Sequence, residues 1–122
     1  MVLVDTSVWI DHLRFCDLGL TQLLESSKVL GHPHILGELA LGNLKHRARV
    51  MAALRELPQI PVAADSEVLY FIDEGALFGR GIGYVDAHLL ASLRLAPGTR
   101  LWTRDQRLRA VADELGLAAK TH

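Results

Sequence analysis

The feature that most constrains the fold is the way the chain begins. Val2-Leu3-Val4, a short β-branched run, passes at once into Asp5-Thr6-Ser7, residue types that cap helices. A strand that runs into a helix rather than a tight turn suits a crossover topology, and the pattern recurs. Val29-Leu30 is followed by Pro33, which opens a helix with Ile35, Leu36, Leu39 and Ala40 as its apolar stripe, up to Gly42-Asn43. Leu101-Trp102-Thr103 precedes a last helix from about 105 to 115, and the sequence holds no Asn-Gly or Asp-Gly hairpin signal between strands. Short apolar strands alternating with helices predict an α/β fold with a parallel sheet covered by helices on both faces.

Other elements follow from apolar spacing and turn residues. Trp9, Ile10 and Leu13 continue the first helix, and Leu20, Leu23 and Leu24 carry a second after the break at 17–19. A basic amphipathic helix is expected from about 45 to 57, with a short extended segment around Ile60 and Val62 between prolines. Asp65-Ser66 is expected to cap a helix through Val68, Leu69 and Ile72. A glycine-rich loop at 78–83 precedes a helix from about 84 to 95, and Leu117 to Ala119 adds a final edge strand.

With 122 residues the chain has the usual size of one domain, spanning 1–122, with one continuous core and one active site. No apolar stretch approaches the roughly 20 residues of a membrane-spanning helix, and the first residues carry no basic leader, so a cytoplasmic protein without membrane association is expected. The lone Cys16 offers neither an internal disulfide nor a thiolate metal site.

In open parallel sheets the reactive site lies beyond the carboxyl ends of the strands. Asp5 and Asp105 each follow a predicted strand, so adjacent strands would bring them together. For either acid the competing reading is helix capping. At the second site Thr103 with Gln106 spells a capping box, which leaves Asp105 less needed as the cap. Asp86 falls among Val85, Leu89, Leu90 and Leu93 on its helix, facing the core side, where a carboxylate must be neutralised, hydrogen-bonded or paired with a cation. Its first-turn position offers partial relief through backbone N–H groups. Glu38 sits at the edge of its helix's apolar stripe, where a solvated glutamate would also sit. Asp11, Asp73 and Glu74 read as surface acids.

Convergent carboxylates without cysteine ligands suit a hard cation, Mg²⁺ or Mn²⁺. A zinc site of His32, His34 and Glu38 is disfavoured, because the histidines start a helix beside Pro33 at a spacing that fits no standard ligand pattern. His12, His46, His88 and His122 read as surface or packing residues. A net charge of −1 argues against nucleic-acid binding, but with four acids committed to cations, 14 minus 4 leaves 10 acids against 13 Lys and Arg. Lys45, Arg47, Arg49, Arg80, Arg100, Arg107 and Arg109 are candidates to grip phosphates, and Arg104 above all, beside Asp105.

These residues resemble a known family. Val2-Leu3-Val4-Asp5-Thr6-Ser7-Val8-Trp9-Ile10 is similar to the opening of PIN-domain proteins, particularly the VapC toxins of toxin-antitoxin pairs. Ile35-Leu36-Gly37-Glu38-Leu39 resembles the segment of the family's second acid, 81–91 around Asp86 the third, and Leu101-Trp102-Thr103-Arg104-Asp105 the fourth. The resemblance spans nearly the whole chain and departs at His88, where the segment often carries a smaller or aliphatic residue. It implies a three-layer α/β/α sandwich with a mainly parallel central sheet and Mg²⁺- or Mn²⁺-dependent endoribonuclease activity. It further implies catalytic and metal-binding roles for Asp5, Glu38, Asp86 and Asp105, a cognate protein antitoxin and a homodimer. By the same resemblance Thr103 helps hold a neighbouring acid or a water. The alternatives are a PIN nuclease of RNA processing without an antitoxin, a binding module that has kept the fold, and a receiver-type phospho-acceptor. The last should show paired acids after the first strand, where Asp5 stands alone.

Overall fold

The computed structural model describes residues 1–120. Three parallel strands, β1 (Val2–Val4), β2 (Val29–Leu30) and β3 (Arg100–Trp102), form a sheet in the order β2-β1-β3. β1 is central, in register with Val29 and Leu30 on one side and with residues 100–102 on the other. Single parallel bridges extend both edges, Gly31 to Gln59 and Leu101 to Ala118, where the extended segments at Ile60 and Leu117 were expected. Prolines on either side of Gln59 and Ile60 limit the first of these to one bridge, since proline cannot donate to a ladder.

The helices are α1 (Thr6–Phe15), α2 (Leu18–Glu25), α3 (Pro33–Ala40), α4 (Arg47–Arg55), α5 (Asp65–Glu74), α6 (Tyr84–Arg94) and α7 (Gln106–Glu114). Together with the parallel sheet they give the α/β, PIN-like sandwich that the alternating pattern predicts. Residues from all three strands and from α1, α2, α3, α4, α6 and α7 join one apolar core, with Leu3, Val4, Leu89, Leu90, Leu101 and Leu108 fully buried. α6 is buried along 87–93, as befits a helix enclosed between α5 and β3.

Two caps differ from expectation. α5 begins at Asp65 itself, with Ala64 as its N-cap, so Asp65 does not cap it and its carboxylate is held elsewhere. Arg47 starts α4 two residues later than the basic run suggests, and its guanidinium closes the preceding turn on the carbonyls of Ala40 and Gly42. In the glycine-rich loop, Gly81 has a φ of 81° and would set a Cβ 2.8 Å from the Arg107 side chain, so the loop needs glycine there for close packing.

Candidate active site

Because β1 and β3 are adjacent and parallel, the residues leaving their carboxyl ends lie side by side. The Asp5 amide donates to the Trp102 carbonyl at 2.9 Å, which sets Asp5 next to Thr103. From β1 the chain crosses to β2 on one side, while β3 lies on the other, so this end of β1 is a topological switch point, where such sheets hold their ligands.

Asp5 occupies the N-cap position of α1, yet its side chain does not cap the helix. One carboxylate oxygen, Oδ2, instead accepts from the hydroxyls of Ser7 and Thr103, each at 2.8 Å, and the residue is buried. The capping explanation for this acid therefore fails. At Asp105 the outcome is the reverse of the expectation. Asp105 is the true N-cap of α7, its Oδ1 accepting from the amides of Arg107 at 3.0 Å and Leu108 at 3.1 Å. The Thr103–Gln106 capping box does not form because the helix starts at Gln106 itself; the Thr103 hydroxyl donates to Asp5, while its oxygen accepts from the Asp105 amide at 3.1 Å. Thr103 thus ties the two acids together.

Asp86 projects from the first turn of α6, half-buried, and Oδ2 accepts from the Gly83 amide at 3.0 Å. Burial raises its pKa above the ordinary carboxylate value, the Gly83 amide opposes that, and the negative charges of Asp5, Asp105 and Glu38 raise it further. The other three acids are therefore within electrostatic reach of Asp86. Glu38, exposed on α3, accepts from the Thr6 hydroxyl at 2.6 Å, which links it to the residue directly after Asp5.

None of the ion pairs among the described residues involves any of these four carboxylates. The nearby cations are engaged otherwise. Arg104 forks onto Asp11 at 2.7 Å and Asp17 at 2.5 Å, with its guanidinium over the Trp102 ring, and its amide donates to the Ser7 hydroxyl. It braces the loop between α1 and α2 against the end of β3 instead of standing ready for phosphate, and Asp11 is its partner rather than a solvated acid. Arg80 likewise pairs in two bonds of 2.9 Å with Glu114.

The residues also fit a hard divalent cation by their chemistry. Asp5, Glu38 and Asp105 all act electrostatically on Asp86, and the four carboxylates are held by neutral hydroxyls and amides that fix orientation without neutralising charge, an all-oxygen donor set without thiolate or imidazole. Beside the cluster runs a groove of about 580 Å³ lined by Ile10, Leu13, Phe15, Leu39, Leu44 and Val50, with Glu38 on its margin. It exposes Ile10 and Leu13 of the α1 apolar stripe.

No family model matches the chain. Curated relatives do. Over 118 residues, 97% of this chain and 95% of the relative, it is 50% identical to Ribonuclease VapC32 of Mycobacterium tuberculosis strain CDC 1551 / Oshkosh. The same values hold for Ribonuclease VapC32 of strain ATCC 25618 / H37Rv. The order of the four acids, the placement of Asp5 and Asp105 beyond the ends of adjacent parallel strands, and an identity of this extent lead to one conclusion: the chain belongs to the VapC-type family of PIN-domain ribonucleases.

Proposed function

We propose that the protein is a Mg²⁺- or Mn²⁺-dependent endoribonuclease acting as the toxin of a toxin-antitoxin pair, with Asp5, Glu38, Asp86 and Asp105 as its catalytic and metal-binding residues. The observation that carries the reading is a group of four carboxylates with no ion-pair partner among the described residues, three of which add their charge to the burial that raises the Asp86 pKa. When bound, divalent cations stabilise charge on the phosphate, activate a water and assist the leaving oxygen.

The chain's own residues do the rest. Ser7 and Thr103 hold Asp5 in one orientation, the Gly83 amide holds Asp86, and the first amides of α7 hold Asp105, so three principal ligands are preorganised. Glu38, exposed and anchored through Thr6, completes the cluster or orients the attacking water. With Arg104 and Arg80 engaged in ion pairs, the grip on RNA phosphates passes to Lys45, Arg49 and Arg107.

The antitoxin reading is supported by the apolar groove, since a segment lying between α1 and α4 would pass the Glu38 margin and obstruct the acids. Leu69 and Tyr70, exposed on α5, are available to a second copy in a homodimer. A helix long and apolar enough to cross a membrane does not occur among the described residues.

The test is incubation of total RNA with the purified, partner-free chain. Discrete fragments that need Mg²⁺ or Mn²⁺ and vanish with chelator are expected, and suppression by a peptide filling the groove would support the toxin role. Failure to cleave by a folded, metal-loaded chain would turn the reading towards a binding module.

A further inference from the structure

A second group of metal-capable side chains lies away from the four acids. His32, at the start of α3, His34 on the same helix and His88 on α6 bring ligand nitrogens within 4.8 Å of one another. His88 and His32 are 3% and 1% exposed, and the His34 and His88 rings lie 4.4 Å apart. Of the two readings the sequence leaves for His88, surface or packing, the structure gives packing. Glu38 is not the third member, because it faces Thr6.

The hydrogen bonds show which nitrogens are available. Nε2 of His88 meets Oδ1 of Asp65 at 2.8 Å, and Asp65 also accepts from the Tyr84 hydroxyl at 2.9 Å. Bonded to a carboxylate that can only accept, Nε2 carries the proton, which leaves the lone pair on Nδ1. That Nδ1 is buried without a hydrogen-bond partner, and so is Nδ1 of His34. A buried imidazole nitrogen without a partner is costly, and two of them side by side, one backed by a carboxylate on its far nitrogen, reproduce the usual outer arrangement of a metal-ligating histidine. His32 accepts from the His34 amide with Nδ1 at 3.0 Å and meets the Ser92 hydroxyl with Nε2 at 3.2 Å. It would exchange that cap for a metal bond.

We infer that His34, His88 and His32 form a binding site for a borderline divalent cation of the zinc type, clasping α3 to α6 and separate from the acid cluster. Three neutral imidazoles with Asp65 behind one of them suit Zn²⁺ and reject Mg²⁺, the opposite preference to the carboxylates. Tetrahedral zinc at about 2.0–2.1 Å from nitrogen places its ligands roughly 3.3 Å apart, so the rings must close by about an ångström or more from their present spacing, a side-chain rotation within reach of the half-buried His34. A fourth position would remain for water.

The test is titration of the full chain with Zn²⁺ at neutral pH in a large excess of Mg²⁺, which saturates the carboxylates. It is read by competition with a chromophoric chelator and by histidine ring resonances in NMR. We expect one equivalent of Zn²⁺, shifts in His34 and His88 ring signals, and a raised Tm, with binding weakened at least tenfold in His34→Ala and His88→Leu but kept in Asp5→Asn. If His88→Leu misfolds, the wild-type ring shifts and the His34→Ala titration decide. No Zn²⁺ bound in the presence of Mg²⁺, or binding lost in Asp5→Asn and kept in both histidine variants, would overturn the inference.

Discussion

The same two helices serve two sites of opposite chemical character. α3 carries Glu38 and, one turn earlier, His34, while α6 carries Asp86 and, two residues on, His88. At the acids, Asp5 and Asp105 beyond the ends of β1 and β3 and Glu38 on α3 all act on Asp86 while neutral donors restrain them, so their repulsion of the Asp86 charge is left in place. At the histidines, three rings are packed together with His32 and His88 in the interior, and burial, then the proximity of His34 and His88, pushes the His32 pKa down to about 4. The contrast teaches that a cluster's demand for a cation is set by which partners the fold withholds. At the acids it withholds arginine, which it gives to Asp11, Asp17 and Glu114; at the histidines it withholds hydrogen bonds.

The sharpest way to break the comparison is to remove one charge from the acid side. Asp5→Asn or Asp86→Asn should lower RNA cleavage by more than about 100-fold, beyond the 10–100-fold typical of a residue that only orients a ligand, whereas His88→Leu should leave most of it. Comparable losses in all three would mean that the two clusters are one functional unit. Next in size is Thr103→Val, which deletes the hydroxyl joining Asp5 to Asp105. Cleavage and Mg²⁺ affinity should fall by about 10–100-fold, with Thr103→Ser restoring most of both.

Smaller effects lie in stability. Because Asp86 is held above its ordinary pKa, its ionised form costs the metal-free fold stability, and Asp86→Asn should raise the Tm without metal by a few degrees, roughly 2–5 °C. The same substitution should shrink the further rise that Mg²⁺ gives wild type. Calorimetry with and without Mg²⁺ reads both. The pH response should have opposing components. A raised carboxyl pKa gives stability below its unfolded value that is lost as pH rises through the folded one, so acidification relieves the Asp86 cost. A depressed imidazole pKa works the other way. His32 contributes stability above its ordinary value of 6.5, and that contribution drains as pH falls towards about 4. Metal-free denaturant curves should show a decline over this window in wild type that is shallower in His32→Gln.

Much of this was legible in the sequence because it is local. Asp5 follows β1 directly and Asp105 lies shortly beyond β3, so a strand-end rule finds both, while Asp86 is marked by sitting among apolar residues in the first turn of its helix. Glu38 was legible only in company, since an exposed glutamate on an amphipathic helix carries no signal by itself. What could not be read depends on packing between distant segments. The Thr103 hydroxyl can bond backward along the chain as a cap or sideways to Asp5, and only the β1–β3 pairing decides it. Arg104 looked free for phosphate because Asp11 and Asp17 reach it only once α1 and α2 turn back over the end of β3. His88, read as a surface or packing residue, gains its meaning from His34 on α3 and Asp65 on α5.

The most direct test of the central claim, that the four acids and not the histidines hold the catalytic cation, is a Mn²⁺ titration followed by electron paramagnetic resonance on wild type, Asp5→Asn, Asp86→Asn and His88→Leu. The account predicts Mn²⁺ bound by wild type and His88→Leu alike and largely lost from both aspartate variants. Mn²⁺ retained by the aspartate variants, or lost from His88→Leu while the fold is intact, would contradict it.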